Sequence, residues 1–376
     1  MVDWIIVGAG FTGTTLAERI ASQLDRKVLL IDRRDHIAGN AYDYPGKHGI
    51  LIHKYGPHIF HTNSKKVWDY LSQFTNWEPY YHHVLAVVEG KHVPLPFNLN
   101  TIAALFPPFM AENISRKLIE TYGYGEKVPI LKLRESKDTD LAFIADYIYR
   151  NVFKNYTFKQ WELNPEDLDP FVTARVPVYI SRDDRYFNDT YQAIPLEGYT
   201  AMFTKMLSHK NITTRLNTDY KDIRDAHPKA RVIFTGPIDE YFAYQYGALP
   251  YRSLRFEEIY KETQYAQPSG TVNYPNEFDF TRITELKRLG NQHQNAPGTI
   301  LIREYAEAYT PGKNEPYYPI PTRDTAEKLK PYKALAEEHA GKVWFAGRLG
   351  DYAYYNMDQA CARALALFEK SIASAA

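Results

Sequence analysis

Gly8, Gly10 and Gly13 stand in the run Gly8-Ala9-Gly10-Phe11-Thr12-Gly13, a G-x-G-x-x-G. Asp32 follows at the distance of about 20 residues that a dinucleotide site requires. Gly8 allows a tight turn, Gly10 lets backbone N–H groups approach a pyrophosphate, and Gly13 lets a helix pack closely on a strand. Phe11 and Thr12 fall at the start of that helix, whose unpaired donors and positive dipole end suit an anion. Asp32 stands where a carboxylate can accept hydrogen bonds from two ribose hydroxyls. The plainer reading is a glycine-rich turn with no ligand.

Past Asp32, the stretch Arg33-Arg34-Asp35-His36-Ile37-Ala38-Gly39-Asn40 makes a second glycine loop. A loop in that place points to FAD rather than NAD, with Gly39 and Asn40 at the diphosphate and ribityl chain and Arg33 along the adenosine. The alternative is a solvated basic turn. His58 and His61 lie three apart in Gly56-Pro57-His58-Ile59-Phe60-His61, with no Cys or carboxylate at ligand spacing, so no metal is expected. His58 can border a flavin edge or be a satisfied core histidine. No G-x-S-x-G, no cysteine in a polar loop and no carboxylate pair of glycosidase type supplies a protein nucleophile.

These residues need elements to hold them. Trp4-Ile5-Ile6-Val7 reads as a buried parallel strand, Leu16, Ile20 and Leu24 as a helix face, and Lys27-Val28-Leu29-Leu30-Ile31 as a second strand. Asn63-Ser64 starts a helix, and Val84–Val88 with Lys91–Val93 form a hairpin about Glu89-Gly90. Helical periodicity marks 101–106, 109–122 and 140–153, then 199–209 and 323–338. Period-two patterns at 252–260, 270–274, 282–286 and 299–305 predict an antiparallel sheet. Strands at 231–237 and 342–347 return to the first sheet, and Arg348-Leu349-Gly350-Asp351 leads into a last helix that runs to about 373. Residues 171–188, marked by Pro and charge, read as a partly mobile loop.

The fold class is therefore mixed α/β: a Rossmann-like FAD-binding domain of glutathione-reductase-like type, with a helical insertion and an antiparallel β-sheet domain. Residues 1–80, 190–240 and 320–376 are expected to rebuild the FAD domain. The helical insertion with a substrate loop takes 99–175, and the sheet domain takes 81–98, 176–189 and 241–319. Lys plus Arg and Asp plus Glu both number 45, so no global field favours nucleic acid or a membrane surface. No run reaches the ~18 apolar residues of a membrane span. The chain enters its first strand at once, which leaves no room for a signal peptide. The one cysteine, Cys361, falls on a helical apolar face and fits a reducing cytosol.

Several segments carry a resemblance. Tyr156-Thr157-Phe158-Lys159-Gln160-Trp161, Arg175-Val176-Pro177-Val178, Tyr186-Phe187-Asn188, Thr281-Arg282-Ile283-Thr284-Glu285, Pro316-Tyr317-Tyr318-Pro319 and Gly347-Arg348-Leu349-Gly350 with Tyr354 resemble bacterial UDP-galactopyranose mutases. So do the two loops at 35–40 and 56–61. The resemblance implies interconversion of UDP-galactopyranose and UDP-galactofuranose without net redox change. Reduced FAD would attack the anomeric carbon through N5 and open the ring as an iminium, with an external reductant such as NAD(P)H. It implies Arg175, Arg282 and His58 as catalytic residues. Tyr156 would stack on uracil, Trp161 would border the sugar, and Asn273 would lie near the base. Arg175 and Arg282 would clamp the diphosphate, helped by Tyr186, Tyr317 and Tyr354. Arg348, Asp351 and Met357 would join His58 beside the FAD. The family often has an aromatic residue where Val152 stands and Asp where Asn356 stands. A homo-oligomer, dimer or larger, in the cytoplasm is expected. From their types alone, Arg175 and Arg282 are equally readable as ordinary surface pairs. Two other functions share these features: a flavin oxidase or desaturase, and a nucleotide-sugar-binding flavoprotein without turnover.

Overall fold

Four-residue apolar runs are long enough to cross a sheet once and too short for a stable helix, and here they become parallel strands. A computed structural model describes residues 2–168, 177–290 and 294–373. Its five-stranded parallel sheet has the order Ile212–Arg215, Val28–Ile31, Trp4–Val7, Arg231–Phe234, Val343–Phe345. Trp4 to Val7 pair in step with Val28 to Ile31 on one side and Arg231 to Phe234 on the other. Ile6, Leu30 and Ile233 are buried between the Phe11–Leu24 helix and the C-terminal helix, Met357–Leu367. The chain therefore winds away from Trp4–Val7 in both directions, and a crevice opens at that switch point beyond the strand ends.

A second sheet has seven strands, in the order Tyr318–Pro319, Tyr251–Lys261, Thr299–Ala308, Arg282–Glu285, Thr271–Asn273, Val84–Val88, Lys91–Leu95. All its pairings are antiparallel except Thr271–Asn273 with Val84–Val88, which run parallel. The hairpin turn has Glu89 at φ 49 and Gly90 at φ 75, the paired left-handed conformation of a two-residue turn. A small antiparallel sheet of Phe60–Thr62, Tyr191–Pro195 and Trp77–Pro79 braces the crevice wall.

One helix expectation needs correction. The 140–153 pattern is the first part of a longer rod: Thr139–Ile148 continues through a π-type stretch, Tyr149–Lys154, into Asn155–Trp161. The lead-in to the terminal helix is itself partly helical. A short helix, Gly347–Gly350, ends where Tyr352 takes φ 52, and helix resumes at Met357 behind an Asn356 capping box. That interruption places Tyr354 and Asn356 at the crevice instead of on a helix face.

No helix among the described residues is long and apolar enough to cross a membrane. None of them form a cluster of three or more His, Cys, Asp or Glu side chains suited to a metal ion.

Candidate active site

Two glycine loops press backbone on backbone to make the floor of a long cleft. A Cβ on Gly39, at φ +56, would stand 2.8 Å from the Gly10 Cα, and one on Gly8 would stand 2.1 Å from Thr235 Oγ1. The Phe11–Leu24 helix begins at Gly10 with no side-chain cap, leaving its first N–H groups for a ligand. Asp32 is fixed at the far side, accepting the Ala9 N–H on Oδ2 at 2.8 Å and the Arg34 N–H on Oδ1 at 2.9 Å. Gly8, Gly10, Phe11, Thr12, Asp32, Arg33, Gly39, Asn40, His58, Arg348 and Met357 all line this cleft of about 1200 Å³, its open mouth included.

Charge gathers at one end. Arg33 reaches Glu240 at 3.4 Å and Glu315 at 3.3 Å, and Arg34 reaches Glu315 at 3.0 Å and Asn40 Oδ1 at 2.9 Å. Burial works to raise the Glu315 pKa, but Arg34 and Arg33 outweigh it and hold the carboxylate below its ordinary range.

A second cleft, of about 930 Å³ with its mouth, lies against the seven-stranded sheet and is lined by His58, Tyr186, Asn273, Arg282, Tyr317, Tyr318, Arg348 and Tyr354 among others. Asn40, His58, Tyr317, Arg348, Asn356 and Met357 line both clefts, so the two meet there. Arg348 is pinned at the junction: Nη2 donates to the Tyr355 carbonyl at 2.6 Å, Nη1 to that of Tyr317 at 3.3 Å, and the guanidinium lies 5.0 Å from the Tyr318 ring centroid.

The electrostatics are specific. Arg282 is bonded to Glu304, whose side chain is only 5% exposed. His58 donates from Nδ1 to the Gly56 carbonyl at 2.8 Å, since a carbonyl only accepts. Burial, with His53 and Arg348 nearby, pulls its pKa down to about 3, so the ring is neutral and offers Nε2 as an acceptor. Burial likewise lowers His82 to about 3. Asn273 Oδ1 is buried with no partner from the protein, an acceptor left for a ligand donor.

Some expected residues stand elsewhere. Gly13 does not line either cleft: a Cβ there would meet Gly8 O at 1.9 Å, so its smallness serves helix–strand packing. Asp351 accepts from the Gly347 N–H at 3.0 Å and pairs with Arg363 at 3.0 Å, behind the cleft. Trp161 is 4% exposed and packs behind Tyr354 and Tyr318, with ring centroids at 5.6 and 6.2 Å. Tyr156 shares the electrostatic neighbourhood of Arg282, Glu304, Tyr186 and Tyr354, and burial raises its hydroxyl pKa. Val152 is buried in the helical core. Arg175 lies outside the described residues.

Other lining residues had no role expected of them from the sequence. Glu304, His82, Phe187 and Tyr55 line the second cleft, and Glu240 and Glu315 the first. Tyr317 lines both clefts and Tyr318 only the second, so both face the site.

The sequence matches, over residues 151–354, the model of a family described as UDP-galactopyranose mutase, and over residues 6–74 that of an NAD(P)-binding Rossmann-like domain. It is 37% identical over 375 residues to a protein of Klebsiella pneumoniae named Probable UDP-galactopyranose mutase, covering 99% of this chain and 95% of that one. A dTDP-fucopyranose mutase of Escherichia coli is 33% identical over 361 residues, 94% of each chain. The crystal structure of a reduced UDP-galactopyranose mutase superposes with a TM-score of 0.71 at 16% identity, covering 100% of this chain and 94% of that one. A putrescine oxidase bound to putrescine gives 0.56 at 12% identity, covering 99% of each. At such identities the two structures speak for the fold alone. The family match and the near-complete sequence alignments say more: the chain belongs to the UDP-galactopyranose mutase family.

Proposed function

We propose that the protein interconverts UDP-galactopyranose and UDP-galactofuranose, an isomerisation by ring contraction that uses reduced FAD and gives no net redox change. The observation that carries this reading is the junction of the two clefts at Asn40, His58, Tyr317, Arg348, Asn356 and Met357. A group held between Asp32 and that junction faces a second ligand held by Arg282. The close Gly10–Gly39 approach, the uncapped helix start and the Asp32 carboxylate suit FAD. When bound, reduced FAD supplies the nucleophile for the anomeric carbon.

The chain's own residues do the rest. Arg282, held by Glu304 through Nε and Nη2, offers its remaining Nη1 donors and its charge to the diphosphate. Arg348 adds positive charge at the junction. Tyr186, Tyr317, Tyr318 and Tyr354 donate hydroxyls, and Asn273 Oδ1 accepts from the nucleotide. His58, neutral throughout the physiological range, keeps its Nδ1 proton on the Gly56 carbonyl and orients by accepting on Nε2. Tyr156 and Trp161 support the nucleotide end from behind, and Arg175 is assigned to the diphosphate as a second cation. The polar lining speaks against a desaturase, whose substrate needs an apolar tunnel. A homo-oligomer in the cytoplasm, with an external reductant such as NAD(P)H, completes the reading.

The test is purified protein with UDP-galactofuranose, with and without dithionite. UDP-galactopyranose forming only under reduction supports the reading; binding without conversion refutes it. The name of the Escherichia coli relative makes dTDP-fucopyranose the comparison substrate in a parallel assay.

A further inference from the structure

Three histidines, His58, His61 and His82, line the second cleft, and only His61 is bonded to a carboxylate. Its Nδ1 lies 2.8 Å from Asp189 Oδ2, 128 residues along the chain. The bond holds Asp189 below its ordinary carboxylate range, and a carboxylate only accepts, so Nδ1 carries the hydrogen and the ring's orientation is fixed. Asp189 Oδ1 accepts from Asn63 Nδ2 at 2.8 Å, while Asn63 Oδ1 takes the Thr190 N–H at 2.9 Å. Strand pairing locks both ends, with Gln192 opposite His61 and Tyr191 opposite Thr62. Phe60 and Thr62 are buried on the other face, so alternation turns His61 toward the cleft.

What this ring supports is Phe187. The two rings lie flat on each other, centroids 3.7 Å apart at 13°. Phe187 meets the Tyr186 ring edge-on at 5.0 Å and packs on the apolar cluster that contains Ile59, the neighbour of His58. A phenyl ring stacked on an oriented imidazole that lines the same cleft is a rigid apolar part of its wall.

We propose that His61 and Asp189 are positioning residues that fix Phe187 as this wall and thereby keep water from the anomeric carbon during the ring exchange. The proposal rests on the mutase reading. In that reaction the bond from C1 to the diphosphate oxygen breaks, its electron pair leaving on UDP, and later re-forms. Water reaching C1 in the interval forms a new C1–O bond and releases a proton, giving free galactose and UDP. Water is the only co-reactant, and a dry wall suppresses the loss.

The test uses holoprotein reduced with dithionite, supplied with UDP-galactofuranose, and measures UDP-galactopyranose and free galactose together. H61F keeps an aromatic face and loses the Asp189 bond; H61N keeps an N–H toward Asp189 and loses the face. D189N weakens the bond from the other side, and F187A removes the wall with the pair intact. Each is expected to lower kcat roughly tenfold or more, leave KM within about threefold, and raise free galactose per conversion about tenfold. Variants that convert with a wild-type galactose fraction overturn the proposal, whatever their kcat, because a merely structural role slows turnover without changing that partition. A wild-type protein that binds UDP and converts nothing overturns the mutase reading first, and the proposal with it.

Discussion

Arg282 and Glu304 are register partners on adjacent antiparallel strands, and both Nε and Nη2 of the arginine reach one carboxylate oxygen, Oε2, at 2.9 Å. The ladder thus sets the direction of the guanidinium before any ligand arrives, and Nη1 stays outside the pair. Arg282→Ala is expected to lower kcat/KM about a hundredfold or more while FAD stays bound. Glu304→Gln keeps the shape and drops the charge, so KM rises about five- to tenfold with the fold intact. Steady-state kinetics beside the flavin spectrum checks both; near-wild-type values in Arg282→Ala would refute the clamp.

Acid should destabilise the protein before its carboxylates titrate. Burial lowers His53 to about 4 and His58 and His82 to about 3, against an unfolded value near 6.5. Below 6.5 the unfolded chain binds protons that the folded chain refuses, so unfolding free energy falls as pH drops from 6.5 toward 4. Each histidine adds a slope of about 1.4 kcal/mol per pH unit. Urea unfolding at pH 7, 6 and 5 should show the decline, and His82→Gln should remove about a third of it. A flat profile would contradict the burial of these rings.

Gly39→Ala should weaken FAD binding about tenfold or more, because the new Cβ meets Gly10 Cα at 2.8 Å in a left-handed residue. Gly90→Ala is the control: its φ is +75, but nothing lies within 4 Å and it is far from the cleft. It should cost stability and leave affinity unchanged. Flavin titration of both apoproteins decides, and equal affinities would place the FAD elsewhere.

Much of this was legible because the signals are local. The Glu89-Gly90 turn names its own hairpin, and the apolar stripe ending before His339 marks the Arg323–Glu338 helix to the residue. The first glycine loop and Asp32 needed nothing beyond spacing. What escaped is set by distance along the chain. Asp189 finds His61 across 128 residues, and Glu304 finds Arg282 through a ladder that no period-two pattern registers. The three-residue strands Phe60–Thr62 and Trp77–Pro79 are too short to show alternation. For Trp161 the resemblance implied a place at the sugar, and packing puts its ring behind Tyr354.

Turnover at graded reduction of the bound flavin tests the central claim most directly. The rate of UDP-galactofuranose conversion should rise in proportion to the two-electron-reduced fraction and return to zero on reoxidation, with no oxygen consumed per sugar converted. Conversion by the fully oxidised protein, or oxygen uptake matching product formed, would contradict the account.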